Sequence, residues 1–167
     1  MENKTASNTD PNIRKLGELL HGIRVAMLTT FTEDHRLHSG PLMVQEFDFD
    51  GDLWFLISRF STKISDIQKN PQVCLSFSSP LSGKYISASG TAELWDDPGR
   101  VSDIWCQAYE PWFPEGPRDN NIQLLRVNIE SAEYWETHAS SLSRILHFVN
   151  GHHGKSKEDH GTLRLNH

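Results

Sequence analysis

The feature that most constrains the fold of this chain is an apolar run that leads directly into a helix start, within residues 53–71. Residues 53–57 read LWFLI, a short apolar run typical of a buried strand. Ser61 is a good N-cap, apolar residues at helical spacing follow it, and Pro71 ends the helical pattern. The stretch therefore predicts a strand, a tight turn and a short helix.

The start of that helix has the composition of an anion site. Its first turn carries Ser61, Thr62 and Lys63. A helix start offers unpaired backbone N–H groups and the positive end of the helix dipole, and two hydroxyls and an ammonium there suit a phosphate group. The same residues also occur at helix starts that bind nothing, so the local pattern leaves both interpretations open.

The composition is that of a globular protein with a hydrophobic core. The chain has 167 residues, 37% hydrophobic and 23% charged, which predicts one folded domain over 11–150. Polar ends predict a flexible segment over 1–10 and a polar mobile tail over 151–167. The net charge of -6 argues against bulk binding to nucleic acid. No apolar leader and no run of membrane-spanning length are visible, so we expect a cytoplasmic protein with no membrane partner.

Runs of alternating apolar and polar residues, bounded by turn residues, predict six strands and a seventh short one. These strands are predicted at 24–30, 37–49, 53–58, 73–78, 84–95, 122–129 and 132–136. Helices are predicted at 11–21, 62–69, 98–108 and, near the end, 142–149. Gly90, in the middle of the longest strand, predicts a bulge or a close approach by another backbone. Because hairpins link most strands, we expect a mostly β fold, an antiparallel barrel of six to seven strands.

Other polar clusters have simpler explanations than a reactive site. Asp96 and Asp97 look like a carboxylate pair, but they are better explained as a helix cap before Pro98. Four histidines crowd the tail, at His152, His153, His160 and His167. They lack the fixed spacing of a structural metal site, which favours a solvated tail. We therefore predict no metal site and no catalytic residue supplied by the protein.

Four segments of the chain, in order, resemble one known family. They are 27–30 (MLTT) with 38–42 (HSGPL); 51–55 (GDLWF) with 61–63 (STK) and 70–73 (NPQV); 86–92 (ISASGTA); and 132–135 (AEYW). The chain is similar here to the FMN-binding split barrels of the pyridoxamine 5′-phosphate oxidase-like superfamily, in particular the general stress protein 26 branch. The resemblance covers roughly residues 12–136 in matching order, which makes it more specific than a single motif.

The resemblance implies a flavin site between the two subunits of a homodimer. It implies that Thr62 and Lys63 bind the FMN phosphate, with Ser61 as the helix cap. It implies that Trp135 reaches the flavin from the partner chain. The residues that would line the ring system are Leu42, Met43, Leu56 and Ile57.

The chain departs from the family pattern at two places. Relatives often have an arginine where this chain has Gly40, and a guanidinium there would make a bidentate phosphate contact. Its loss costs about 1.5–3 kcal/mol, so we expect weaker FMN binding. The basic cluster that holds the substrate phosphate in true pyridoxamine phosphate oxidases is replaced at 140–144 by SSLSR. We therefore do not expect oxidation of vitamin B6.

Two functions from different classes remain open. The first is a flavin-dependent oxidoreductase in which bound FMN is the redox centre and the small-molecule electron donor is unidentified. The second is a non-catalytic stress protein that binds or senses FMN. Reduction of bound flavin by NADH or NADPH would distinguish the two functions.

Overall fold

The structure is a computed structural model, and it describes residues 10–45, 49–137 and 158–165. Three α-helices and seven strands follow one another along these described residues. The helices are α1 (Pro11–Leu20), α2 (Thr62–Lys69) and α3 (Pro98–Ile104). The strands are β1 (Val25–Phe31), β2 (Leu37–Met43), β3 (Asp52–Ser58), β4 (Gln72–Ser79), β5 (Lys84–Trp95), β6 (Ile122–Thr137) and β7 (Glu158–Arg164).

All seven described strands belong to one antiparallel sheet in the order β2-β1-β4-β5-β6-β3, with β7 also paired to β6. The 16-residue strand β6 pairs with three other strands. One edge of β6 pairs with β5 along its length, while the other edge pairs first with β3 and then with β7. The sheet curls so that its two end strands, β2 and β3, contact each other. The predicted antiparallel split barrel is thereby confirmed.

Gly90 marks the place where the register of β5 and β6 shifts. A Cβ at Gly90 would lie only 2.0 Å from the carbonyl oxygen of Asn128, which no side chain could accommodate. The predicted bulge with a close backbone approach is confirmed at this position.

The apolar run of β3 is continuous because both of its faces are buried. Leu53, Phe55 and Ile57 point into the main core, which α1 covers. Leu56, on the opposite face, belongs to a second buried cluster beneath α3 and the loop that follows it. The other members of this second cluster are Val101, Tyr109, Phe113, Ile122 and Leu124.

Several element boundaries differ from the sequence predictions. The strand predicted over 37–49 ends at Met43, and the two strands predicted over 122–136 are the single strand β6. The helix predicted over 98–108 ends at Ile104, because Trp105 is extended and turns its ring toward Tyr109 and Phe113. The helix predicted over 142–149 lies outside the described residues, as do residues 1–9 of the flexible segment predicted over 1–10. Asp10, the last residue of that segment, is the N-cap of α1.

Part of the predicted polar tail is instead a strand. Glu158–Arg164 forms β7, which pairs with 131–137 of β6. Leu163 and Leu165 are buried in the main core at 8% and 7% exposure. These two leucines, two residues apart, are the period-two signal that the surrounding polar residues obscured.

Candidate functional site

The helix predicted to begin near Ser61 is α2, which begins at Thr62 with Ser61 as its N-cap. The Ser61 side chain accepts a hydrogen bond from the Lys63 backbone N–H at 3.3 Å, and this caps α2. Thr62, the first helical residue, is exposed. The first turn of α2 thus presents an exposed hydroxyl beside the positive end of the helix dipole.

The Lys63 side chain turns away from solvent and reaches toward β1 and β2. The residue is only 7% exposed, and its ammonium donates hydrogen bonds to the carbonyl oxygens of Leu28 at 3.1 Å and His38 at 3.2 Å. Gly40 provides the necessary space, since a Cβ there would lie 3.1 Å from Lys63 Cε. Lysine has three N–H donors, so two carbonyl contacts leave one donor for another acceptor.

A buried carboxylate accompanies this ammonium. Asp66 is 7% exposed and accepts a 2.8 Å hydrogen bond from the hydroxyl of Thr30, itself 1% exposed. His38 Nδ1 lies 3.8 Å from the same carboxylate. Burial lowers the pKa of Lys63, and the negative charge of Asp66 acts in the opposite direction. The cluster ties α2 to the β1–β2 hairpin through charged groups.

The four predicted ring-lining residues lie on the two end strands of the sheet, and their side chains alternate between its two faces. Leu42 and Ile57 pack in the main core. Met43 and Leu56 pack in the second cluster. Because β2 and β3 contact each other where the sheet curls, all four residues lie on these two neighbouring strands.

Trp135 lies elsewhere on the sheet. It is half-buried near the end of β6, opposite Tyr85 of β5, and its ring stacks on the imidazole of His160 in β7. β6 is three strands away from β1, about 14 Å at ordinary strand spacing. Within one chain, Trp135 is therefore separate from the α2 start, as the resemblance to a shared dimer site implies.

Sequence reasoning missed two parts of this arrangement. Thr30, His38 and Asp66 were not grouped with Lys63, although Asp66 stands one helical turn after it and so shares its face. His160 was assigned to a solvated tail, because β7 was not recognised. Arg59, which follows β3, donates a hydrogen bond from Nε to the carbonyl oxygen of Ile122 at 2.9 Å.

Two negative findings concern only the part of the chain that the structure describes. In 10–45, 49–137 and 158–165, no group of three or more His, Cys, Asp or Glu side chains is arranged to hold a metal ion. Over the same residues, no helix has the length and apolar character needed to cross a membrane.

The curled antiparallel sheet, with a capped helix between its third and fourth strands, defines the class of split-barrel proteins. Residues 11–159 match the profile of the family described as "Pyridoxamine 5'-phosphate oxidase like". The chain belongs to this family, which confirms the resemblance inferred from the sequence.

Two solved structures are similar along most of the chain. The General Stress Protein 26 from Bacillus anthracis is 28% identical, with a TM-score of 0.63, and the match covers 74% of this chain and 90% of that one. The general stress FMN/FAD binding protein from Xanthomonas citri is 29% identical, with a TM-score of 0.66, covering 78% and 92%. Both have the general stress protein description that the sequence resemblance named.

A curated relative is more distant and longer. Protein bli-3 from Neurospora crassa is 25% identical over 135 residues, which cover 75% of this chain and 65% of that protein. The match thus spans about two thirds of the relative's own length.

Proposed function

We propose that this chain is an FMN-binding flavoprotein of the general stress protein type, which binds flavin as a homodimer. Its family, and its similarity to a general stress FMN/FAD binding protein, support a flavin as the ligand. The choice of FMN depends on a phosphate site at the start of α2.

The observation that carries the proposal is the position of the Lys63 ammonium beside Gly40, between the first turn of α2 and the β1–β2 hairpin. The helix start, the exposed Thr62 hydroxyl and the remaining Lys63 donor together suit a phosphate dianion. Ser61 holds this turn in place as its cap. The residues present therefore fit the phosphate end of FMN.

The isoalloxazine ring of FMN would lie beside β2 and β3, the two end strands of the sheet. Its border would be formed by the backbone of Leu42, Met43, Leu56 and Ile57, whose side chains pack in the two buried clusters, and Trp135 of a second subunit would complete the enclosure. FMN, when bound, supplies the electron-transfer chemistry, while the protein binds and orients it and excludes water.

Exposed apolar side chains on the outer face of β1 and β2 support the homodimer. Val25 and Met27 are 53% and 40% exposed on β1, and Leu37 is 75% exposed on β2. Pairing places the exposed Pro41 directly beside Met27. Val25, Met27 and Pro41 thus form an apolar patch, which the polar pair Thr29 and Ser39 separates from Leu37. A patch of this kind suits a second copy of the same chain, which would bury it across a two-fold axis.

We propose in addition that the bound FMN is reduced and reoxidised during function, and a spectroscopic experiment tests this. The protein is loaded with FMN and mixed without oxygen with NADH or NADPH while the visible flavin absorption is followed. An oxidoreductase loses this absorption and recovers it with an electron acceptor. Flavin that stays bound and oxidised would favour the alternative, a non-catalytic flavin-binding or flavin-sensing protein.

We also propose that pyridoxamine phosphate is not the substrate. Residues 140–144, where true oxidases carry the basic substrate cluster, lie outside the described residues, so the proposal depends on their sequence, SSLSR. FMN-loaded protein should form no pyridoxal phosphate from pyridoxamine phosphate in air. Turnover above that of free FMN would contradict this.

A further inference from the structure

A stacked ring pair joins the last described strand to the tryptophan of the proposed flavin site. The ring centroids of Trp135 and His160 are 5.2 Å apart with an interplanar angle of 11°. His160 Nε2 also lies 3.6 Å from the carboxylate of Glu133, which is two residues before Trp135 on the same face of β6. The imidazole of His160 therefore covers one face of the Trp135 indole, and the Glu133 carboxylate lies beside that imidazole.

The register of β7 is fixed, so this stacking is not accidental. A Cβ at Gly161 would lie 2.6 Å from Tyr134 Oη, so the Tyr134 ring occupies the space beside Gly161 and would have to move for any larger residue. A slip of one residue would bring His160 to the Tyr134 ring and turn the buried leucines of β7 to the other face. Gly161 on one face of β7 thereby places His160 opposite Trp135 on the other face.

The end of β7 is anchored to the body of the protein. Leu163 and Leu165 are buried in the main core. The side-chain amide of Asn12 in α1 donates to the Arg164 carbonyl oxygen at 2.8 Å, and the Leu165 N–H donates to the Glu130 carbonyl oxygen at 3.0 Å. β7 is therefore a rigid platform for the indole.

We propose that His160 is a positioning residue that holds the Trp135 indole in the orientation required to contact the flavin ring. This role rests on the proposed function, since it needs a flavin that Trp135 touches. His160 itself acts through Trp135 and not on the ligand. Because aromatic stacking contributes modestly, its removal should weaken flavin binding by about two- to tenfold.

The binding test compares His160→Ala with two other variants, using FMN and riboflavin as probes and quenching of flavin fluorescence as the readout. His160→Ala should weaken both flavins by the same factor, because the effect is on the ring and not on the phosphate. His160→Phe should restore binding, because a phenyl ring can also stack. Thr162→Ala is the matched control, since Thr162 is exposed on the same face of β7, and it should bind like the wild type.

A second measurement needs no flavin. In proton NMR of the flavin-free protein, the His160 ring protons should be shifted upfield by the stacked indole. They should move toward ordinary histidine positions in Trp135→Leu. Unshifted His160 protons in the wild type would overturn the stacking and with it the proposed role.

The two proposals fail in different ways. If the wild type binds flavin and His160→Ala binds it equally well, the positioning role is wrong and the flavin function stands. The role is also wrong if His160→Ala weakens binding but His160→Phe does not restore it. If the wild type binds neither flavin, the proposed function is overturned, and the positioning role with it.

Discussion

The ammonium of Lys63 lies in the space that a side chain at Gly40 would enter. A Cβ at position 40 would be 3.1 Å from Lys63 Cε and 3.5 Å from Nζ. The family resemblance places an arginine at position 40 in many relatives. In this chain the cation between α2 and the β1–β2 hairpin comes from Lys63, and the glycine makes room for it.

Restoring the arginine should strengthen the proposed phosphate site. In Gly40→Arg, the new stem displaces the flexible end of Lys63 and brings a guanidinium capable of a bidentate contact. We expect FMN affinity to rise about tenfold or more relative to riboflavin, measured by flavin-fluorescence titration. Gly40→Ala is the control, because it displaces Lys63 without adding a donor. An equal gain for riboflavin, which lacks the phosphate, would show that the effect is not on the phosphate.

The fold was largely predictable from sequence because local signals agreed with one another. The cap at Ser61, the bulge at Gly90 and the alternating strands are each determined by neighbouring residues. β7 was missed because its apolar signal is only two leucines in a polar segment, and its stability comes from pairing with β6. Tertiary pairing of this kind cannot be read from a local pattern.

The candidate site was predictable in position but not in detail. The sequence placed Lys63 at the helix start, yet the direction of its side chain depends on space left by Gly40, 23 positions earlier in the chain. The grouping of Thr30 and Asp66 likewise depends on how α2 packs on β1. Side-chain direction in a buried cluster follows from three-dimensional packing, which periodicity does not encode.

Because Lys63 is buried, the free energy of unfolding should vary with pH in the alkaline range. Its pKa is lowered in the folded state by burial, so the unfolded state binds the proton more tightly. The free energy of unfolding, relative to Lys63→Met, should therefore rise as pH increases through the window between the lowered pKa and the ordinary lysine value of 10.5. Urea unfolding of both proteins at several pH values measures this difference. A difference that stays constant or falls through the window would contradict the burial of a charged Lys63.

Tyr109 offers a test of the second cluster. Its hydroxyl is buried and makes no hydrogen bond of ordinary geometry among the described residues. Burial is the largest influence on its pKa and raises it, while Gln45 and the Leu56 backbone nearby act in the opposite direction. Tyr109→Phe should therefore stabilise the protein by about 1 kcal/mol, because it removes a buried unsatisfied group and keeps the ring packing. The urea midpoint at neutral pH measures this.

The stability difference between the wild type and Tyr109→Phe should also change with pH. The tyrosine is neutral in the folded state at pH values where the unfolded chain ionises, so wild-type stability should fall as pH rises above 10, the ordinary pKa of tyrosine. The advantage of Tyr109→Phe should therefore grow with alkaline pH. A loss of stability in Tyr109→Phe would show that the hydroxyl has a favourable partner.

A single substitution that introduces a charge tests the proposed dimer face. Met27→Asp places a carboxylate in the apolar patch that Met27 forms with Val25 and Pro41. It should convert a dimer into a monomer, because an unpaired charge in an apolar interface is strongly unfavourable. Light scattering at micromolar concentration measures the mass. Leu81→Asp is the control, since Leu81 is fully exposed in the turn between β4 and β5. A wild-type monomer, or a Met27→Asp dimer, would contradict the proposal.

The most direct test of the central claim compares FMN with riboflavin in the wild type, in Lys63→Met and in Lys69→Met. Lys69 is the matched control, an exposed lysine in the last turn of the same helix. If the start of α2 binds the flavin phosphate, the wild type should prefer FMN by about tenfold or more, Lys63→Met should lose most of that preference, and Lys69→Met should keep it. Equal affinity of the wild type for both flavins, or an unchanged preference in Lys63→Met, would contradict the account.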